Sequence, residues 1–499
     1  MASLFYAKFG ENMNSIQTDQ RFLMRSTLFT FGGTALKIIA PILTIVVARV
    51  FGKEIFGIYV STQLLVFTLS RVAVLGFDKG MHRYLPQNLI CCRPSHEGIV
   101  ESLKIVIALA FLISSVFWIG AFFDLQRFFS GLSMLSSREI SLYILSVTPY
   151  TVLLLFAGAS EGNRHPQYKI FINDFAVTTF APLVALCLYF GGFADKLSLP
   201  VGLFVSNVLG VVMYVVLMKR QFPKICWMIK KKIPRELLDF SLPIGFSEVV
   251  SAFLLRVDLW MVLVLVGPEA AGIYAVMVTI SNGLKTVRQS YNPILQPVVA
   301  GMSKNRLATD LKPVYSYCVS MVTLIQLAIG FFIILFPEQT MMIAGKSFIT
   351  KENPVAVLGI LMLGNLLNGF WGLSGAVING LGKSKFMLGM NVVSLIFAIL
   401  MNALLIPFLG IAGAAVSSMS YQILQCVWMN LYLRRMGYWP YQGRLMVQGI
   451  WILLFAVIYL VENRFFSPSL ISKGVLYAVL LLGIAGTFWW QGLSKKRER

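Results

Sequence analysis

Long apolar runs separated by short polar segments make up most of this chain. Each run is about 20 residues long, and as a helix that length crosses the roughly 30 Å of hydrocarbon in a bilayer. The runs are continuous, as in membrane helices, and do not alternate as barrel strands do. The pattern predicts an all-α integral membrane protein with about fourteen transmembrane helices, numbered here as spans 1 to 14 and placed near residues 22–48, 55–77, 99–122, 140–160, 170–192, 199–218, 241–266, 271–296, 314–336, 354–379, 386–408, 411–433, 445–461 and 474–491.

The composition supports this interpretation. Of the 499 residues, 57% are hydrophobic and only 13% are charged, and the mean hydropathy is +0.77. Soluble globular proteins have about 25% charged residues, so that class is excluded. The formal net charge of +21 would suggest a nucleic-acid partner in a soluble protein. In this chain the charge follows the predicted topology, and we expect no nucleic-acid partner.

Positive charge is concentrated on one side of the predicted membrane. With the N-terminus placed inside, 27 of the 42 lysines and arginines lie in cytoplasmic segments and 9 lie in the opposite loops. The positive-inside rule therefore predicts that both termini are cytoplasmic. The basic stretch from Lys219 to Arg235 can serve as a topological anchor or can bind anionic lipid.

An internal repeat divides the chain into two similar halves. An offset of 215 residues superposes Gly52, Glu54, Gly57, Ile58 and Tyr59 on Gly267, Glu269, Gly272, Ile273 and Tyr274. Spans 1 and 2 then match spans 7 and 8, so both halves have the same orientation in the membrane. We predict two pseudo-symmetric six-helix lobes with a cleft between them. The predicted segments are an N-terminal cytoplasmic segment, an N-lobe, a basic linker, a C-lobe, a C-terminal helix pair and a basic tail, at 1–21, 22–218, 219–240, 241–433, 445–491 and 492–499.

Apart from Arg25 at the start of span 1, which is counted with the N-terminal cytoplasmic segment, six cationic side chains lie inside the apolar runs: Lys37, Arg71, Lys104, Arg256, Lys285 and Arg288. A charge in hydrocarbon costs at least about 2.5–3.5 kcal/mol, and it is normally tolerated where it faces a watery cavity or an opposite charge. Lys104 and Arg71 are near span ends and can snorkel to the interface. Arg256 is near the middle of span 7, where it is a cavity residue, part of a buried ion pair, or a sign that the span is misplaced. The set indicates a transporter for an anionic substrate.

Span 8 has one strongly polar face. At about 100° per residue, a sector of about 120° holds Tyr274, Ser281, Asn282, Lys285, Arg288, Gln289, Asn292 and Gln296. This face is predicted to line the cleft. Asn365 and Asn368 of span 10 share a stripe with glycines, which can equally be a packing seam.

Apart from Glu101 at the start of span 3, three carboxylates are predicted to lie within the membrane: Asp174 in span 5, and Glu248 and Asp258 in span 7. Each is a candidate for coupling transport to H⁺ or Na⁺, or for pairing with a cation such as Arg256 or a lysine of another helix. Glu248 and Arg256 are too far apart along the helix axis to pair directly. The sequence leaves both alternatives open.

Five segments, taken in order, resemble the polysaccharide-biosynthesis transporters. They are 48–59 (ARVFGKEIFGIY), 75–86 (LGFDKGMHRYLP), 265–274 (LVGPEAAGIY), 379–385 (NGLGKSK) and 405–415 (LIPFLGIAGAA). This family includes the Wzx-type flippases of bacterial O-antigen and exopolysaccharide assembly. Its superfamily, the MOP (multidrug/oligosaccharidyl-lipid/polysaccharide) exporters, also holds the lipid II flippases and the multidrug and toxin extrusion exporters.

The resemblance implies a specific activity in the cytoplasmic (inner) membrane. Its members translocate a polyprenyl-diphosphate-linked oligosaccharide by alternating access, gripping the diphosphate with cations of spans 1, 2, 7 and 8. The positions here that match are Lys37, Arg71, Arg256, Lys285 and Arg288. The amides Asn282, Gln289 and Asn292 suit sugar hydroxyls or hydrate the cleft. Membrane lipids, and the polymerase and glycosyltransferases of the same pathway, are the implied partners.

Two other transport functions remain as alternatives. A lipid II flippase would share the fourteen spans and the basic cleft. A cation-coupled multidrug exporter would need a mainly acidic cleft, which the cations of spans 1 and 8 disfavour.

We expect no enzymatic activity, because the predicted loops are too short to hold an active site. Neither a cofactor nor a metal site is predicted, because the six cysteines show no C-x-x-C spacing and the three histidines fall in predicted loops.

Overall fold

A computed structural model describes residues 39–81, 85, 98–123, 136–163, 165–221, 235–301, 307–345, 348, 354–371, 373–438, 446–465 and 470–497. Within these residues every regular element is helical and there is no strand. We call residues 39–221 the N-lobe and residues 235–435 the C-lobe.

The N-lobe is built from seven described α-helices and one π-helical segment. The π segment, Ile170–Val177, directly precedes α6. The α-helices are α1 (Ile39–Val74), α2 (Ile99–Phe122), α3 (Ser137–Leu145), α4 (Val147–Gly162), α5 (Pro166–Lys169), α6 (Thr178–Phe190) and α7 (Asp195–Gln221).

The C-lobe contains nine described α-helices, and two further helices pack outside it. Its helices are α8 (Arg235–Leu254), α9 (Val257–Leu265), α10 (Pro268–Gly301), α11 (Leu307–Leu335), α12 (Pro337–Met342), α13 (Pro354–Trp371), α14 (Ser374–Gly380), α15 (Ser384–Leu409) and α16 (Ile411–Arg435). The last two, α17 (Met446–Phe465) and α18 (Leu470–Arg497), pack on α11, where Phe331 and Phe455 have ring centroids 5.3 Å apart.

These helices confirm the predicted all-α, multi-pass membrane protein. Seven described helices are long and apolar enough to cross a membrane, or eight if the bent pair 355–371 and 374–380 counts as one span. The count of fourteen spans and the cytoplasmic position of the termini remain predictions.

Spans 1 and 2 are predicted as two helices joined by a short loop, but in the structure no loop separates them. Helix continues through residues 49–54 in α1, and the direction changes at Gly52, whose φ of 78° lies in the left-handed region that favours glycine. Gly267, the repeat partner of Gly52, also has a positive φ of 125° and stands just before α10. The two repeats therefore turn at equivalent glycines.

The two lobes touch along α1 and α10. A Cβ on Gly57 would meet the backbone of Pro268 and Gly272, and a Cβ on Gly272 would meet the backbone of Lys53 and Gly57. Residues related by the sequence repeat thus contact each other reciprocally, as in a two-fold symmetric interface. An ion pair between Lys53 and Glu269 joins the lobes at the same end.

A second contact between the lobes forms at the C-terminal end of α1, at the other end of the part of this helix that follows Gly52. The helix ends in a turn at Leu75 and Gly76, with φ values of 49° and 74°. A Cβ on Gly76 would meet the backbone of Ser241 and Gly245 on α8. The lobes are therefore in contact above and below the space between them, and only small residues permit either approach.

Candidate functional site

Arg256 stands at a break in the middle of a predicted span. Span 7 was predicted as one continuous helix over 241–266, but α8 ends at Leu254 and α9 begins at Val257. Arg256 has non-helical backbone angles, φ −142° and ψ 2°. Irregular backbone within a membrane is tolerated where it is buried in protein or lines a cavity. The break therefore marks a cavity wall.

A cavity of about 270 Å³ opens beside this break in the C-lobe. We call it the C-lobe cavity. Its polar lining comes from the helix break, from the polar face of α10 and from α13 and α16, and includes Arg256, Asp258, Asn282, Lys285, Gln289 and Asn365. Three of these residues, Asn282, Lys285 and Gln289, belong to the polar face predicted for span 8.

The cations of this region have no ion-pair partner among the described residues. Arg256 and Lys285 line the C-lobe cavity, and none of the ion pairs within the described chain involves either of them. Asp258 is near both, but its Oδ2 accepts a hydrogen bond from the Tyr274 hydroxyl at 2.7 Å and its Oδ1 accepts one from the Leu259 N–H at 2.8 Å. Positive charge therefore exceeds negative charge in this cavity.

Arg288 and Asn292, two other candidates on α10, are not among the residues that line this cavity. Arg288 lies within electrostatic range of Tyr421 and Cys426 of α16 and has no ion pair in the described chain. The side-chain oxygen of Asn292 is buried without a hydrogen-bond partner. The roles assigned to these two residues remain predictions.

A larger cavity of about 390 Å³ lies in the N-lobe. We call it the N-lobe cavity. Its wall includes Arg71 and Tyr59 of α1, Tyr150 of α4, Asn207 of α7, and Asp174 of the π segment. Arg256 and Asn282 line both cavities, so the two spaces meet at these side chains.

Arg71 is held by two carboxylates. Its Nη1 lies 2.8 Å from Oδ2 of Asp78 in the N-lobe and 3.6 Å from Oε2 of Glu248 in the C-lobe. The sequence allowed Arg71 to snorkel to the membrane interface, but in the structure its guanidinium is held in an ion-pair cluster. Glu248 therefore pairs with Arg71 and not with Arg256, in agreement with the large separation of Glu248 and Arg256 along the helix axis. The cluster bridges the lobes beside the contact of Gly76 with α8.

Lys169 is a cavity residue that the sequence analysis missed. It was placed in a predicted cytoplasmic loop, but the helix begins at Pro166 and Lys169 lines the N-lobe cavity. Its Nζ lies 2.8 Å from Oε1 of Glu161 at the end of α4. The preceding proline, which favours the first turn of a helix, is the signal that would have moved the predicted boundary.

Among the coupling candidates, Asp174 lies on a π-helical turn, a distortion frequent at functional sites. Coupling of transport to H⁺ or Na⁺ through Asp174, Glu248 or Asp258 remains a prediction. Lys37 lies outside the described residues.

Solved structures with a similar fold include a flippase and several transporters. The lipid II flippase MurJ in an inward closed conformation is 10% identical and gives a TM-score of 0.68, covering 93% of this chain and 99% of its own. A multidrug resistance MATE family transporter of the MOP superfamily, inward-facing, is 14% identical with a TM-score of 0.64, covering 82% and 99%. A MOP superfamily transporter from Pyrococcus furiosus is 14% identical with a TM-score of 0.61, covering 83% and 95%. At these identities the likeness concerns the fold.

Sequence comparison identifies a family. No curated protein matches the sequence significantly. The family described as polysaccharide biosynthesis protein matches residues 23–305, which is more than half of the chain and includes α1, the break at Arg256 and the polar face of α10. The chain is therefore a multi-pass membrane protein that belongs to the polysaccharide biosynthesis protein family and has the fold of MOP superfamily transporters.

Proposed function

We propose that this protein is a flippase that moves a polyprenyl-diphosphate-linked oligosaccharide, such as an O-antigen, capsule or exopolysaccharide repeat unit, across the cytoplasmic membrane. The observation that carries the proposal is the pair Arg256 and Lys285, two cations of the C-lobe cavity that have no carboxylate partner among the described residues. A diphosphate satisfies both, because the guanidinium binds phosphate oxygens bidentately and the ammonium adds a mobile charge. The family and the membrane fold support a lipid-linked cargo.

In this proposal the protein is a transporter and not an enzyme. The diphosphate lies in the cleft while the prenyl chain stays in lipid, and the lobes alternate between exposure to one side and to the other. The contacts between lobes at Gly57 and at Gly76 are the two places that would open in turn. The polymerase and glycosyltransferases that act on the same lipid-linked intermediate are the proposed protein partners.

A lipid II flippase is the second candidate, because MurJ shares the fold over 93% of this chain. Lipid II also has a polyprenyl diphosphate, so the C-lobe cations do not distinguish the two cargoes. A multidrug exporter for cations is disfavoured by the excess of positive charge beside Arg256.

Translocation in proteoliposomes tests the proposal. The probe is a fluorescent polyprenyl-diphosphate disaccharide, and its arrival in the opposite leaflet is followed by quenching. We expect Lys285→Met to lower the rate at least about tenfold, since a hydrogen bond to a charged group contributes about 1.5–3 kcal/mol. Lys104→Met is the matched control, because Lys104 is an exposed cation on α2 that lines neither cavity.

The outcomes separate the candidates. A wild-type rate no greater than that of protein-free vesicles, for this probe and for lipid II, would contradict the flippase proposal. Transport of lipid II alone would favour the second candidate. Equal losses in Lys285→Met and Lys104→Met would remove the C-lobe cavity as the diphosphate site.

A further inference from the structure

The turn of α10 that presents Lys285 borders open space. On this side, the wall of the C-lobe cavity is formed by Asn282, Lys285, Thr286 and Gln289. A Cβ on Gly283 would meet no atom within 4 Å, and glycine is a weak helix former. The orientation of this turn therefore depends on contacts that α10 makes on its other side.

Two side-chain amides reach the same turn from neighbouring helices. The Nε2 of Gln326 on α11 donates a hydrogen bond to the backbone oxygen of Leu284 at 2.6 Å. The Nδ2 of Asn365 on α13 donates one to the backbone oxygen of Ser281 at 3.2 Å. In an α-helix the Ser281 carbonyl also accepts the N–H of Lys285, and Leu284 directly precedes Lys285. The two amides therefore hold the backbone to which the Lys285 side chain is attached.

Gln326 makes its contact from outside the cavities. Its side chain is fully buried, and in the described part of the chain it lines neither cavity. Its Oε1 has no hydrogen-bond partner among the described residues. An apolar side chain would fill the same space without the cost of burying an amide. The position is thus suited to holding α10 and does not offer a contact to a substrate in either cavity.

A glycine on α13 makes room for this amide. A Cβ on Gly369 would lie against the side-chain oxygen of Gln326. The helices α10, α11 and α13 pack on one another, and hydrogen bonds between helices fix their relative positions in a membrane, where apolar contacts compete with lipid. The orientation of α10 beside Lys285 is therefore set by groups on two other helices.

We propose that Gln326 is a positioning residue for diphosphate binding, which acts through the Leu284 carbonyl to fix the rotation of α10 so that Lys285 faces the C-lobe cavity. Asn365 supports the same turn through Ser281. This inference rests on the proposed function and deepens it. The geometry of the cationic site is then set from behind α10, by a side chain that contacts no part of the substrate.

A cysteine at position 285 reports the orientation of α10 without any substrate. Lys285→Cys is made after replacement of the six native cysteines. Gln422→Cys on α16, in the wall of the same cavity, is the reference. The measured quantity is the rate of labelling at position 285 divided by that at position 422, with a small water-soluble methanethiosulfonate. Gln326→Met should lower this ratio about fivefold, as expected for one lost hydrogen bond.

A second variant and a matched control accompany this measurement. Gly369→Ala should also lower the ratio, because its methyl group displaces the Gln326 amide. Gln448→Met is the control. Gln448 is also fully buried, and its Nε2 donates to Oγ of Ser320 on α11 at 3.1 Å, but it lines neither cavity in the described part of the chain. Its labelling ratio should equal that of the parent protein.

Diphosphate binding shows whether Gln326 acts through Lys285. The probe is geranylgeranyl diphosphate, and its Kd is measured with the purified full-length protein. We expect Gln326→Met to raise the Kd about fivefold. It should cause no further rise in protein that already has Lys285→Met, because substitutions that act through one interaction are not additive. A loss caused only by weaker folding would be the same in both backgrounds.

The failure of this inference differs from that of the proposed function. A wild-type protein that binds no prenyl diphosphate contradicts the proposed function, and the labelling ratio then still decides whether Gln326 orients position 285 toward the cavity. An unchanged labelling ratio in both Gln326→Met and Gly369→Ala overturns the positioning role. An equal rise in Kd with and without Lys285 also overturns it.

Discussion

Individual charged side chains in the described membrane region fall into two groups. Arg71 and Lys169 have carboxylates within 2.8 Å, and their environment resembles a buried ion pair. Arg256 and Lys285 have no carboxylate of their own and depend on the cavity for hydration. Burying an unpaired charge is costly, and in the proposed function the substrate diphosphate offsets that cost.

The Arg71 cluster yields a prediction about stability. The Asp78 side chain is 8% exposed and lies closer to Arg71 than Glu248, whose side chain is 35% exposed. We expect Asp78→Asn to destabilise the protein by about 3 kcal/mol, as when one member of a buried pair is removed. Glu248→Gln should cost about 1 kcal/mol or less. Thermal unfolding in detergent measures both, and a larger effect of Glu248→Gln would contradict this assignment of the pair.

At the scale of helices, α1 and α10 pack closely because glycines stand where they cross. The Gly57 and Gly272 positions have no room for a Cβ between the helix backbones. Such small-residue contacts are a principal source of helix association in membranes, where lipid is as apolar as the side chains. This close packing explains why both halves of the repeat have a glycine at this position.

Two glycines of α10 provide a matched comparison. Gly272→Ala places a methyl group against the backbone of Lys53, whereas a Cβ on Gly283 would meet open space. We expect Gly272→Ala to cost about 1–3 kcal/mol through overpacking. Gly283→Ala should be neutral or stabilise by up to about 1 kcal/mol, since alanine favours the helix. Unfolding temperatures in one detergent decide this, and equal temperatures for the two variants would argue against the close crossing.

For the molecule as a whole, the two lobes meet at both ends of the part of α1 that follows Gly52, and two adjoining cavities lie beside this part of the helix. Alternating access requires that the contact at Gly57 and the contact at Gly76 open at different times. The ion pair of Lys53 with Glu269 lies beside the first, and the Arg71–Glu248 pair lies beside the second. Each end therefore has one glycine contact and one ion pair joining the lobes.

A reversible cross-link tests this movement. Lys53→Cys and Glu269→Cys, introduced together after replacement of the six native cysteines, should be joined between the lobes by a short bis-maleimide that contains a reducible disulfide. We expect translocation of the lipid-linked probe to stop after cross-linking and to recover on reduction. Each single-cysteine variant should be insensitive to the same treatment. Full transport by the cross-linked protein would show that this contact does not need to open.

Sequence alone determined the helical membrane class, the repeat and the polar face of α10, because hydrophobic length and periodicity are local properties of the chain. It also selected Arg256, Lys285, Asn282 and Gln289, since a charge or amide in an apolar run is conspicuous wherever the run lies.

Only the tertiary structure decided which groups meet. The break at Arg256 has no glycine or proline beside it in the sequence. The pairing of Arg71 with Glu248 joins residues far apart in the sequence and in different lobes. Whether a cation is neutralised or left free for a ligand depends on such long-range contacts, which periodicity does not encode.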